Sequence, residues 1–205
     1  MKRATTQKKI EDRIVSNGTG SIFTTSDFTD LASSGSANRA LLRLEEADVI
    51  RRIIFGVYEY PEYNEFLGEH IVPSPDKVAQ ALARKFGWTI VPCGDTALNL
   101  LGLSEQVPAV WSYVSDGTYK EYTFDKTTIK FKKTTNREIS KLSSKTALVV
   151  QALKALGKEN VTNLSLIKLR KALTEHEKKK MLEEAKTVTS WIYELIKKIC
   201  WGEEA

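Results

Sequence analysis

Within the first sixty residues of this 205-residue chain, hydrophobic positions recur first at helical spacing and then at strand spacing. Ile10, Ile14 and Val15, with Lys8, Lys9 and Arg13 alongside, predict a first helix that stops at Asn17-Gly18. Thr25-Ser26-Asp27 opens a short second helix, with Phe28 and Leu31 three apart as its buried side. Ser33-Ser34-Gly35 is expected to break it. A third helix is predicted to start at Ser36, whose hydroxyl is suited to cap the free amides of the first turn. Ala37, Ala40, Leu41 and Leu44 share one face of that helix, while Asn38, Arg39, Leu42, Arg43 and Glu46 share the other. Two β-rich runs follow, Val49 to Ile54 and Val57 to Pro61, around the pair Phe55-Gly56. That is the pattern of a hairpin.

The remainder alternates between the two periods. Residues 62–73 keep no steady period and read as a connector. Ser74-Pro75-Asp76 supplies a cap, a proline at the first helical position and an acid in the first turn. The helix so opened carries Val78, Ala81, Leu82 and Phe86 on one face and stops at Gly87. Trp88 to Val91 reads as a short strand, and Gly94-Asp95 leads into a small-residue helix, Thr96 to Leu101. Asn99, set among leucines there, is expected to bond the backbone of a neighbouring loop. Strand-like runs lie at Val110–Val114, Tyr119–Phe124 and Thr128–Phe131. Asp116-Gly117 predicts a hairpin between the first two, and Asp125-Lys126 separates the second from the third. Helices follow at Ala147–Leu156, Leu164–Leu173 and about Glu175–Cys200. In the last, Met181, Ala185, Val188, Ile192, Leu195 and Ile199 form a seam that packs on its own domain or, alternatively, on a partner's helix. The expected class is α+β. A winged helix-turn-helix over residues 1–65 precedes a mixed α/β domain over 69–205, with a small antiparallel sheet and terminal helices.

A short helix, a second helix with a cationic outer face and a basic hairpin make up a winged reader of duplex DNA. The contacts expected from this pattern are Ser36, Asn38, Arg39 and Arg43, with the hairpin arginines Arg51 and Arg52. Neighbours in a strand point to opposite faces, so at most one of the two hairpin arginines lies on the DNA side. Helix pairs followed by hairpins also build protein-interaction modules. That alternative stays open, as does a plain or ligand-responsive winged regulator.

Charge sharpens this picture. The net charge is +5, but it is unevenly spread: +1 over residues 1–60, −5 over 61–125 and +9 over 126–205. The predicted DNA reader is therefore nearly neutral, its cations focused on particular faces. The basic end suits a polyanionic partner or simply solubility. No apolar run reaches spanning length and the N-terminus is polar, so a cytosolic protein without a membrane partner is expected. Cys93, Cys200, His70 and His176 fit no zinc-ligand spacing, and the cysteines read as two reduced thiols.

Nothing in the chain points to catalysis. There is no glycine-rich phosphate loop and no Gly-x-Ser-x-Gly elbow. Ser34-Gly35-Ser36 is followed by no Asp-x-Asp pair to hold two metals, and Asp116, Lys120 and Glu121 stand in the wrong order for a nuclease. No catalytic residue, metal or cofactor is predicted, and the protein is expected not to be an enzyme.

Several phrases of the sequence occur together in a known order. They are Gly56-Val57-Tyr58-x-Tyr60-Pro61, Ser74-Pro75-Asp76 with Ala79 to Arg84, and Gly87-Trp88 through Pro92-x-Gly94. Ala97-x-Asn99-x-Leu101-Gly102-Leu103-Ser104-x-Gln106-Val107-Pro108, Tyr113-x-x-Asp116-Gly117 and Ile129-Lys130-Phe131-Lys132 continue the series. Over roughly residues 5 to 155 the chain thereby resembles the AbiEi-type antitoxins of type IV toxin–antitoxin (abortive infection) systems. The resemblance implies an N-terminal winged domain that represses its own operon by binding inverted repeats. It also implies a C-terminal domain that counteracts a nucleotidyltransferase-type toxin. By position in the motif, DNA contact passes to Ser36, Asn38, Arg39, Arg43 and the hairpin arginines. No antitoxic residue passes over. One departure stands out: the residue before the hairpin glycine, often basic in that family, is Phe55 here.

Overall fold

In the computed structural model, which describes residues 5–134, 139 and 141–202, helix α1 spans Thr6–Ser16. Thr5 caps it by accepting a hydrogen bond from the Lys8 amide at 3.2 Å. Ile10 and Ile14 are fully buried, whereas Val15 lies on the flank, half exposed. Strand β1 (Ser21–Phe23) leads into a 3₁₀ turn, Thr25–Phe28, closed by a capping box between Thr24 and Asp27. Helix α2 spans Ser34–Glu46 and buries Ala37, Ala40, Leu41 and Leu44, the face expected from the sequence. Its start is two residues earlier than expected. Ser33 is the capping residue, in extended conformation, and its carbonyl accepts the Ala37 amide at 2.9 Å. Ser34 and Gly35 thus form a first turn, where amides have no intrahelical partner and propensity counts for little. The Ser36 hydroxyl caps nothing; it accepts from the Ser33 hydroxyl at 3.1 Å.

Strands β2 (Arg51–Ile54) and β3 (Val57–Tyr60) form the hairpin, and β1 adds to the far edge of β3, giving the order β1-β3-β2. One core holds this part together, built from Ile10, Ile14, Phe23, Phe28, Leu41, Leu44, Ile50 and Tyr58 among others. The stretch read as a connector contains a second small hairpin, β4 (Tyr63–Asn64) and β5 (Glu69–His70). The Asn64 side chain turns it by accepting the Phe66 and Leu67 amides at 3.0 and 3.1 Å.

Helix α3 (Pro75–Phe86) has the predicted proline start; Ser74 stands at the cap position but its side chain makes no capping hydrogen bond, and the helix ends at Gly87, whose φ of +66° suits glycine. The sequence reading places it in the second domain; the fold places it in the first. Arg84 Nε donates to Asp27 Oδ1 at 2.8 Å and Arg84 Nη2 to the Ile22 carbonyl at 3.1 Å. Lys77 Nζ donates to the Gly20 carbonyl at 2.9 Å. The first compact unit accordingly continues to Trp88, with Thr123–Lys126, rather than closing near residue 65.

Beyond Trp88 the chain forms a four-stranded sheet of β6 (Ile90–Pro92), β7 (Val110–Ser115), β8 (Lys120–Phe124) and β9 (Thr127–Lys133), in the order β6-β7-β9-β8, of which all but the end of β8 belongs to the second unit. The expected sheet was antiparallel. Here β6 and β7 are antiparallel, but β7 and β9 run parallel, with Trp111 opposite Ile129 and Tyr113 opposite Phe131. Asp116-Gly117 does not join neighbouring strands, because β9 lies between β7 and β8. Its groups are used elsewhere: Asp116 Oδ1 accepts the Thr89 amide at 2.8 Å, and the Gly117 amide bonds Ser115 Oγ at 3.0 Å. The tight turn is at Asp125-Lys126, where Asp125 has φ +48°.

Helix α4 (Asp95–Leu100) places Asn99 so that its Nδ2 donates to the Gln106 carbonyl at 3.0 Å, the loop bond expected of it. Helices α5 (Ser144–Leu156), α6 (Asn163–Lys171), α7 (Glu175–Glu184) and α8 (Ser190–Trp201) complete the unit. Val149, Leu153, Leu169, Met181, Ile192, Ile196 and Ile199 share its core. The predicted single terminal helix is two helices. Thr187-Val188-Thr189 places three β-branched residues in a row, which disfavours helix, and Val188 is extended. The break rotates the pattern, so Ile196 rather than Leu195 is fully buried. The seam packs within its own unit. The chain is α+β, and among the described residues no helix is long and apolar enough to cross a membrane.

Candidate nucleic-acid interface

Burying Ala37, Ala40, Leu41 and Leu44 on one side of α2 leaves the opposite side in solvent. Arg39 and Arg43, one turn apart, are both exposed there. Among the described residues neither makes an ion pair. They line a shallow hollow of about 180 Å³ with Ser36 and with Thr6 and Gln7 of the first turn of α1. On the other flank of α2, Asn38 and Leu42 line a second hollow of about 240 Å³. Its far wall is the β2–β3 hairpin, with Arg52, Phe55, Gly56 and Tyr58, joined by Thr25 and by Lys85 of α3.

The two hairpin arginines part company, as alternation along a strand requires. Arg52 faces the second hollow. Its Nη2 pairs with Glu45 Oε2 of α2 at 2.5 Å and its guanidinium stands 5.5 Å from the Tyr58 ring centroid. Arg51 borders neither hollow. Its Nε meets Glu59 Oε2 at 2.5 Å, and its Nη2 donates to the Ile71 carbonyl at 2.8 Å. Glu59 is 2% exposed. Burial pushes its carboxyl above the ordinary range while the Arg51 guanidinium pulls the other way. Arg51 is thus tied to a buried acid rather than offered to a partner. Of the six residues expected at the interface, Ser36, Asn38, Arg39, Arg43 and Arg52 border the hollows flanking α2.

Two further residues enter that are not among the six expected contacts. Phe55 stands at the hairpin tip, 86% exposed. Lys85 reaches it from α3, donating to the Phe55 carbonyl at 3.0 Å with its Nζ 5.7 Å from the ring centroid. The exposed aromatic was readable from its place in the turn. Lys85 carries no local signal, because only the packing of α3 brings it to the hairpin.

A larger hollow, about 610 Å³, lies on another part of the first unit and includes Arg13, Asp27, Lys77 and Arg84 in its lining. Its cations are already engaged: Arg13 with Asp30 at 2.7 Å, Arg84 with Asp27, and Lys77 with a carbonyl.

The sequence profile described as a family of unknown function, DUF6088, matches residues 9–182. The chain belongs to the DUF6088 family. The matched region takes in α2, the β2–β3 hairpin and α3, so most of the surface described above lies inside the DUF6088 region. Among solved structures, this DUF6088 chain is similar to the RV2827C protein from Mycobacterium tuberculosis, known from a crystal structure. The two share 12% identity with a TM-score of 0.43, over 98% of this chain and 78% of that one. No curated protein matches the sequence.

Proposed function

We propose that the protein is a cytoplasmic winged helix-turn-helix repressor of its own promoter and the antitoxin of a type IV toxin–antitoxin system. The observation that carries the DNA half is the solvent face of α2. Two arginines that pair with no carboxylate among the described residues sit one turn apart on it, an amide (Asn38) is beside them, and a short hairpin flanks the helix. In this reading α2 enters the major groove. Arg39 and Arg43 contact guanine edges or phosphates, Asn38 is suited to adenine, and Ser36 donates to the backbone. The hairpin is the wing, and Arg52 is its DNA-facing cation. The near-neutral charge of residues 1–60 is no objection, because contacts depend on where cations stand rather than on their sum.

The antitoxin half rests on the ordered phrases shared with AbiEi-type antitoxins, Gly56 to Pro61 and the series from Ser74 to Lys132. It assigns neutralisation of a nucleotidyltransferase-type toxin to the second unit. A promoter fusion tests the first half: the protein should repress a reporter driven by its own upstream region, and Arg39→Ala/Arg43→Ala should relieve repression. Co-expression tests the second. A neighbouring reading frame with the Gly-Ser and Asp-x-Asp pattern should arrest growth unless this protein is present. Repression without protection would leave a plain winged repressor; neither effect would favour a protein-interaction module.

A further inference from the structure

We infer that Phe55 is a wedge, entering the minor groove beside the site read by α2 and partly unstacking one base step. Lys85 of α3 is the positioning residue that holds it there. The inference rests on the DNA-binding reading above and names how the same surface treats its ligand. The turn carrying Phe55 has two residues between the paired Ile54 and Val57, so the ring projects from the extreme of the hairpin. The register shifts between Arg52 and Ile54, an irregularity of the bulge type, which bends and twists a strand.

The tip is also fixed in place. Gly56 adopts φ +72°, and a Cβ at that position would stand 2.6 Å from Lys85 Nζ. That ammonium bonds the Phe55 carbonyl and lies against the ring, so an 86% exposed aromatic is pinned rather than free to fold back. The lining of the hollow between this tip and α2 includes no acid; it includes Lys85 and Arg52, the latter paired with Glu45 of α2. An apolar ring beside cations, facing the flank of a DNA-reading helix, suits a phosphate-walled groove. Side chains such as Phe are used as wedges in minor grooves, where they unstack and kink the duplex. Flexible pyrimidine–purine steps are the expected insertion points.

The test uses the full chain and duplexes from its own upstream region, carrying 2-aminopurine at successive steps, together with a gel assay of bending. The wild type should raise fluorescence at one step per binding site and bend the duplex. Phe55→Ala should keep the wild-type melting temperature, because the ring is exposed, yet lose both signals and about tenfold in affinity. Phe55→Trp should retain both signals. Lys85→Gln should bind with a smaller fluorescence rise and bend. If the wild type binds no upstream duplex at any salt concentration, the DNA-binding reading itself fails. If it binds and Phe55→Ala still unstacks and bends the duplex equally, the wedge alone is overturned. Full recovery of affinity by Phe55→Arg without the fluorescence signal would also overturn it, leaving the tip as an ordinary phosphate contact.

Discussion

Replacing Asp27 by alanine should destabilise the first unit far more than replacing its partner Arg84. Asp27 Oδ2 accepts both the amide and the hydroxyl of Thr24, at 2.8 and 3.0 Å, and its Oδ1 accepts from Arg84 at 2.8 Å. Thr24 is wholly buried. Losing a cap interaction costs about 1 kcal/mol, and leaving buried donors of Thr24 unsatisfied adds about 1–3 kcal/mol. The Arg84 pair is half exposed and contributes roughly 0–1 kcal/mol. Asp27→Ala should therefore cost about 2–4 kcal/mol, a fall of roughly 10–25 °C in the melting of a unit of this size. Arg84→Ala should cost no more than about 1 kcal/mol. Asp27→Asn, which keeps an acceptor for Thr24, should fall between the two. Scanning calorimetry on the full chain reads all three. An Asp27→Ala melt within about 3 °C of the wild type, or an Arg84→Ala cost as large as that of Asp27→Ala, would refute the assignment of the cost to Thr24.

Two further outcomes follow from contacts in each unit. Burial alone would lift the Glu184 carboxyl, but hydrogen bonds from Thr146 and Ser143 and the nearby Lys180 bring it below its ordinary value. A depressed carboxyl contributes stability above its unfolded value of 4.5 and loses it as pH falls through the folded one. Glu184→Gln should therefore lower the melting temperature at pH 7 and much less at pH 3; an equal loss at both would contradict this. A fragment ending at Trp88 should melt cooperatively and at higher temperature than one ending at Glu65, which lacks Lys77, Arg84 and Lys85. Equal melts would restore the earlier boundary.

Periodicity was informative wherever one residue's environment is set by its own element. The buried face of α2, the proline start and glycine stop of α3 and the Asn99 bond to a loop carbonyl all follow from local chemistry. What escaped the sequence depends on distant partners. The parallel pairing of β7 with β9 leaves Asp116-Gly117 with the appearance of a hairpin turn, although its groups serve Thr89 and Ser115. The acid that engages Arg51 is Glu59, opposite it in the next strand, and alternation foretold that one arginine would face away without saying which. Lys85 belongs to a helix whose docking rests on Arg84 and Lys77, and no local pattern announces that. The break at Thr187-Val188-Thr189 was written in β-branched residues, but the regular spacing of the seam across it masked the signal.

The central claim is that α2 reads duplex DNA with Arg39 and Arg43. Its most direct measurement is fluorescence anisotropy of the full chain on the upstream duplex and on an unrelated duplex of equal length, across a range of salt. The wild type should prefer the upstream duplex and weaken steeply with salt. For a base-reading arginine, alanine should cost about 1–3 kcal/mol on the upstream duplex and little on the unrelated one; a phosphate contact would weaken both alike and flatten the salt slope. An Arg39→Ala/Arg43→Ala variant with wild-type affinity for both duplexes and an unchanged salt slope would remove α2 from the interface and contradict the account.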